Sequence, residues 1–200
     1  MAKHVDYYVS LNSPWTYLGS KRFEGIAKKH NAHVTIWPVD FGSVFAVSGG
    51  LPLPKRAPQR QAYRMMELKR WRDFLGVKLN LEPKYFPANE APAAMCVIAL
   101  RELGRMADAI KLAHAVLAAL WAEERNTGDP ATLREIIKGC GLDAEMVIKA
   151  SETPGMSEKR DSYTKFAIDK GVFGAPSYVI GGEIFWGQDR LDFVDRKLAT

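Results

Sequence analysis

Strand-forming segments stand at the two ends of this 200-residue chain, and the long stretch between them reads as helix. At the N-terminal end, His4 to Ser10 is aromatic and β-branched, the composition of a buried strand. Asn12-Ser13-Pro14 follows as a helix start. Ser13 is placed to cap, and Pro14 takes the first helical position, where a missing N–H costs nothing. That helix is expected to run to about His30, with Tyr17, Leu18, Phe23, Ile26 and Ala27 facing inward. His33 to Pro38 reads as a second strand, so the chain opens β-α-β, a parallel pair with a right-handed crossover. At the other end, Ser177–Ile180 and Glu183–Trp186 flank Gly181-Gly182, a hairpin signature, and Gln188 to Leu198 reads as a closing amphipathic helix.

Between these ends, Gly49 to Pro58 is rich in Pro and Gly and reads as a loop. From Gln59 to about Lys170 the signal is helical. Gln59–Leu75 repeats Tyr63, Met66, Trp71 and Phe74 at helical spacing, and Ala91–Leu103 is separated from Ala107–Glu124 by Gly104. Asp129-Pro130 starts a further helix, punctuated at its end by Gly139 and Gly141. Thr153-Pro154 opens a last one, closed by Gly171. The order β-α-β, helical block, β-β-α predicts an α/β chain with one sheet interrupted by an insertion. Residues 1–50 and 160–200 form the sheet domain, and residues 51–159 form an inserted helical domain. This is the order of a thioredoxin-type fold.

Composition excludes several classes. With 47% hydrophobic and 26% charged residues the balance is that of a globular chain, not a disordered one. Two cysteines, Cys96 and Cys140, make no disulfide scaffold, and without Cys-x-x-Cys or clustered histidines no metal site is expected. The run Met1-Ala2-Lys3-His4-Val5-Asp6 carries an acid inside a strand-like segment, unlike a secretory signal, and no stretch of ~18 apolar residues exists. A cytoplasmic protein without a membrane partner is expected. The net charge is +5, concentrated in Lys55, Arg56, Arg60, Arg64, Lys69, Arg70 and Arg72 against the single acid Glu67. No recognition motif accompanies this stretch, so nucleic acid is not the expected partner. A solvated helix face and an anionic-ligand site remain as alternatives.

In a thioredoxin-type fold the working group sits where the first strand meets the first helix, here Ser13-Pro14-Trp15-Thr16. Ser13 and Thr16 occupy the positions where a redox protein carries cysteines. Disulfide exchange needs a thiolate, so this site cannot perform it with its own atoms. Gly171-Val172-Phe173-Gly174-Ala175-Pro176 precedes the third strand, and the fold context predicts a cis Ala175–Pro176 bond that leaves the Ala175 backbone open to an extended peptide. Trp186-Gly187-Gln188-Asp189-Arg190 joins the last strand to the last helix. There Asp189 is placed to cap, to hold an ammonium group, or both.

Ser13-Pro14-Trp15-Thr16-Tyr17-Leu18, Phe86-Pro87-Ala88-Asn89, Val172-Phe173-Gly174-Ala175-Pro176 and Phe185-Trp186-Gly187-Gln188-Asp189-Arg190-Leu191, in this order, resemble the 2-hydroxychromene-2-carboxylate isomerases and the related kappa-class glutathione transferases of the DsbA-like thioredoxin superfamily. The resemblance implies a glutathione cofactor. Ser13 would contact the glutathione sulfur, and Ala175 before cis-Pro176 would pair with the cysteinyl backbone. Trp186, Gly187, Gln188 and Asp189 would hold the γ-glutamyl end. It implies an aryl 2-oxo acid or chromene carboxylate as substrate, near Phe45, Lys55, Arg56, Asn89 and Glu90, and a homodimer. The chain departs from the isomerase pattern on that substrate side: Phe45 stands for a Lys, Lys55-Arg56 for Asn-Arg, and Glu90 for a Tyr of some members, while Asp40 fits. A kappa-like transferase and a non-catalytic thiol- or peptide-binding module are the alternatives. His114 is expected to be a core histidine, Cys96 and Cys140 buried thiols, and Trp71 and Trp121 core residues of the insertion, with a place at the border of the substrate pocket as the alternative for either tryptophan.

Overall fold

A computed structural model describes residues 3–200. Four strands, β1 (His4–Val9), β2 (His33–Pro38), β3 (Ser177–Ile180) and β4 (Glu183–Trp186), form one sheet in the order β2-β1-β3-β4. β1 and β2 are parallel, and β1/β3 and β3/β4 are antiparallel. Gly181 and Gly182 close the hairpin with φ of 58° and 87°, left-handed values that favour glycine at both turn positions. The chain has the thioredoxin-like α/β fold expected from its pattern, with helices inserted between the two sheet-forming ends.

The helices are α1 (Pro14–Lys29), α2 (Phe41–Ser48), α3 (Pro58–Leu75), α4 (Ala91–Glu102), α5 (Met106–Trp121), α6 (Pro130–Gly139), α7 (Ala144–Ser151), α8 (Met156–Asp169) and α9 (Leu191–Ala199). Pro stands at the start of α1, α3, α4 and α6, where it withholds no helical hydrogen bond. Asp129 and Asp143 cap α6 and α7 by accepting from the N–H of Thr132 and Met146. α4 is apolar all round and packs against α5, α7, α8 and β2. One continuous core runs from Val5, Tyr7 and Ile36 of the sheet through α1 into α4–α7, with Trp121 wholly buried in it.

Aromatic stacking fixes α1 on the sheet. Tyr7 and Tyr178, directly opposite in the β1/β3 register, stack at 5.2 Å, and Phe23 of α1 tilts onto both at 4.7 and 4.6 Å. This fixes the direction of α1, and with it the position of Ser13.

Residues 41–48, to which the sequence patterns assign no element, form α2: Asp40 caps it with a carboxylate accepting from Gly42 N–H at 2.9 Å, and Gly49 ends it at φ 75°. Two expectations need correction. Trp71, expected in the core of the insertion, is only half-buried against it; Tyr63, Met66 and Phe74, which share its helical spacing, are exposed, and only Leu68 of this helix is buried. The last helix of the block starts at Met156 rather than beside Pro154, because Gly155 turns the chain at φ 87°. Among the described residues no helix is long and apolar enough to cross a membrane.

Candidate active site

Ser13 is the N-cap of α1. Its Oγ accepts from Thr16 N–H at 3.1 Å, satisfying one of the donors that a helix start leaves open. The same Oγ lies 3.5 Å from the carbonyl oxygen of Ala175, so the helix start and the segment before β3 meet at this hydroxyl. No thiol is present here. Cys96 is buried in α4 and Cys140 at the end of α6, and burial pushes both thiols up, away from the reactive thiolate form. Thr16, where a second redox cysteine would stand, is fully buried and its hydroxyl has no partner.

Ala175–Pro176 is cis, as the fold context predicts. The Ala175 N–H has no protein partner among the described residues. The Pro176 carbonyl accepts from Gly187 N–H at 2.9 Å, tying this segment to the one after β4. Phe173 and Trp186 pack ring to ring at 4.8 Å, both substantially exposed, and form an aromatic rim beside Ala175. The rim depends on Gly174, where a Cβ would sit 2.3 Å from the Trp186 Nε1. Gly187 has φ 98°, and a Cβ there would strike the Asp189 carboxylate at 2.3 Å. Asp189 pairs with Arg190 at 2.7 Å and remains accessible. Gln188 differs from the expectation: its side chain is 1% exposed and its Oε1 accepts from Arg22 Nη1 at 2.8 Å. The Gln188 carbonyl accepts from the same Arg22 nitrogen at 3.3 Å, so this residue is held inward by both its side chain and its backbone.

Glu90 sits beneath the Ser13 loop rather than in an open cleft. Its Oε2 accepts from Ser10 Oγ at 2.8 Å and from Asn12 N–H at 3.0 Å, while Oε1 pairs with Arg160 of α8 at 3.2 Å. Burial holds the Glu90 carboxyl above the ordinary range, against the lowering effects of Ser10 and Arg160. Asn12 adds two hydrogen bonds to Ala88, one each way, at 2.8 and 3.1 Å. The Ser13 loop is therefore anchored to Phe86-Pro87-Ala88-Asn89, where Phe86–Pro87 is a second cis bond that sequence reading missed. Proline content flags that segment but not its geometry.

The remaining substrate-side candidates fall into two groups. Asn89 is exposed and accepts from Ala91 N–H at 3.3 Å at the start of α4, close to the Glu90 network. Phe45 lies on α2 against Phe41 and over Gly50, where a Cβ would meet its ring at 2.3 Å. Lys55 is exposed at the end of the short 3-10 turn Leu53–Lys55, and Arg56 is half-buried, its Nε donating to the Leu51 carbonyl at 2.7 Å. No group of three or more metal-ligating side chains comes together among the described residues. A cavity of about 290 Å³ lies along the flank of α1 and is lined by residues including Leu18, Arg22, Val77 and His114. His114 is half-buried there, 2.6 Å from Ser20 Oγ, with its pKa pushed down to about 4, first by burial and then by the charge of Lys21.

A serine-capped first helix facing a cis-proline segment matches a known domain. Residues 4–199 match the description of the DSBA-like thioredoxin domain. The chain belongs to this DSBA-like family. Proteins similar to this chain include the 2-hydroxychromene-2-carboxylate isomerase of Sphingobium xenophagum, 29% identical over 200 residues, with 99% of each chain covered. The enzyme of the same name from Pseudomonas putida is 27% identical, covering 98% of this chain and 94% of its own. Among solved structures, a 2-hydroxychromene-2-carboxylate isomerase superposes with TM-score 0.81 at 25% identity, covering 98% of this chain and 94% of that one. The cytosolic disulfide reductase DsbM of Pseudomonas aeruginosa shares the fold, with TM-score 0.66 at 18% identity and 98% coverage of both chains.

Proposed function

We propose that this protein is a glutathione-dependent isomerase acting on an aryl 2-oxo acid and its chromene hemiketal. The observation that carries the reading is Ser13, a hydroxyl at a helix N-terminus, set against the cis-Ala175–Pro176 segment in a chain similar along its whole length to isomerases of that name. The donor set fits glutathione. The Ala175 N–H is unpartnered, as a peptide-like ligand requires, and Trp186, Gly187 and the Asp189 carboxylate border it. Held there by Ser13, the Ala175 backbone and the Trp186–Asp189 segment, glutathione would supply a thiolate able to act as a reversible nucleophile toward a conjugated carbon of the substrate.

The residues of this chain prepare that chemistry. The start of α1 presents the positive end of the helix dipole, which favours a thiolate over a thiol. Ser13 Oγ–H is free to donate, because Oγ accepts from Thr16 and lies at the limit of reach of the Ala175 carbonyl. The Glu90–Ser10–Asn12 anchor holds this hydroxyl in place. Calorimetric titration with glutathione, wild type against Ser13→Ala, tests the reading. Saturable binding weakened by the mutation supports it, and no binding at millimolar glutathione removes the cofactor. A halonitroarene separates the two catalytic readings: stoichiometric conjugation identifies a transferase, and unconsumed glutathione an isomerase. A homodimer is part of the proposal, supported by the exposed Tyr63, Met66 and Phe74 on α3, and sedimentation measures it directly.

A further inference from the structure

Arg60 and Arg64 stand four residues apart on α3 and share one side of it, and Arg56 precedes that helix in extended backbone after the Leu53–Lys55 turn. Arg64 is half-buried. Its guanidinium lies 5.5 Å from the centre of the Phe86 ring and 5.9 Å from that of Trp121, which is wholly buried. Its one polar contact is to the sulfur of Met65 at 3.7 Å. Among the described residues no carboxylate pairs with Arg64, nor with Arg56 beside it. Arg160 pairs with Glu90, Arg105 with Asp108 and Arg125 with Glu135, while Arg101, which also lies over aromatic rings, donates to the Ile36 carbonyl at 3.2 Å; among the described residues Arg64 has neither kind of oxygen partner. Burial first, and the charge of Arg56 second, push the Arg64 pKa down to about 10.

Desolvating a guanidinium without an acid costs stability, and placing a second one beside it adds repulsion. Both costs are relieved by one anion, and the planar N–H fork of a guanidinium matches a carboxylate. The location suits the proposed reaction. Phe86, on which Arg64 rests, opens the segment whose Ala88 is doubly bonded to Asn12, the residue before Ser13.

We infer that Arg64, with Arg56, forms an oxyanion subsite that takes the carboxylate of the aryl substrate beside Phe86. This rests on the substrate class proposed above, and it assigns to Arg64 a specificity role that no motif marks. Phe86 and Arg64 would border the aryl group, and the two cations would hold its acid end.

The test uses 2-oxo-4-phenylbut-3-enoate and its methyl ester as probes, with tryptophan emission as the readout. Wild type is expected to bind the acid at least tenfold more tightly than the ester. Arg64→Gln should lose that preference, and Arg64→Lys should restore part of it. Glutathione affinity measured on the same variants should stay within about twofold of wild type, which shows that the site and fold are intact. An acid preference that survives in Arg64→Gln overturns the inference, as does equal binding of acid and ester by the wild type. Loss of glutathione binding in the wild type instead refutes the cofactor reading and leaves the acid-to-ester ratio to judge the subsite.

Discussion

Glu90→Ala removes a carboxylate with three partners: Ser10 Oγ, Asn12 N–H and Arg160. The Asn12 amide keeps a second acceptor, Ser10 Oγ at 3.2 Å, so its term is small. The Arg160 charge keeps none. Its side chain is 16% exposed, and its Nε–H is already without a partner. Breaking a buried pair from one side costs about 3–5 kcal/mol, and the residual exposure of Arg160 places this case near the lower end. At 2–4 °C per kcal/mol for a chain of this size, the melting temperature should fall by about 6–12 °C. Glu90→Gln retains an acceptor for Ser10 and Asn12 and should lose less. The pH dependence has a definite sign. Burial raises the folded-state pKa of Glu90 above its unfolded value, so its contribution is fully present near the ordinary glutamate value of 4.5 and is lost as pH rises through the folded value. Differential scanning calorimetry of wild type and Glu90→Gln from about pH 4.5 to 8 reads this directly, with the wild type gaining on the variant as pH falls. A Glu90→Ala protein melting within about 2 °C of wild type, or a wild-type advantage that grows with rising pH, refutes the argument.

Ser13→Ala should cost about 1 kcal/mol through the lost cap and should also raise the pKa of a bound thiol, which ultraviolet thiolate titration measures. Unchanged titration removes Ser13 from the chemistry. Gly174→Ala forces the Trp186 indole off its place, since the new Cβ would lie 2.3 Å from Nε1. Because Trp186 is half exposed and can swing outward, the emission maximum should shift and glutathione affinity should drop about tenfold, while the melting temperature changes little. His114 is held neutral, so the wild type should lose stability relative to His114→Gln as pH falls from 6.5 toward 4, and NMR titration of the ring should place its midpoint near 4.

Much of this fold is legible because its strands and helices carry their own punctuation. Ser13-Pro14 starts α1, Gly181-Gly182 turns the hairpin, and Asp129-Pro130 starts α6, each for a local reason. The cis Ala175–Pro176 bond followed from fold context and not from local chemistry. What stayed hidden depends on distant partners. Glu90 reads as a polar residue in a loop, and only the approach of Arg160, Ser10 and Asn12 makes it a buried anchor. Gln188 turns inward because Arg22 waits there. α2 is one short helix whose apolar residues follow a strand, so Asp40 was its only clear local signal. The stripe on α3 has helical period, but period alone does not say whether a face meets core or solvent.

The Glu90–Arg160 pair also constrains how such a chain can be recombined. Glu90 stands inside the helical insertion, between α3 and α4, and Arg160 stands on α8 at its exit, and between them they fasten the loop that ends in Ser13. A helical block transplanted from another thioredoxin-fold protein would bring new pocket walls but would leave Ser10 and Asn12 without their carboxylate. Chimeras in which α3 alone is exchanged should keep a rigid serine and change substrate preference. Those that replace the whole block should inherit neither unless both ends of this clasp travel with it.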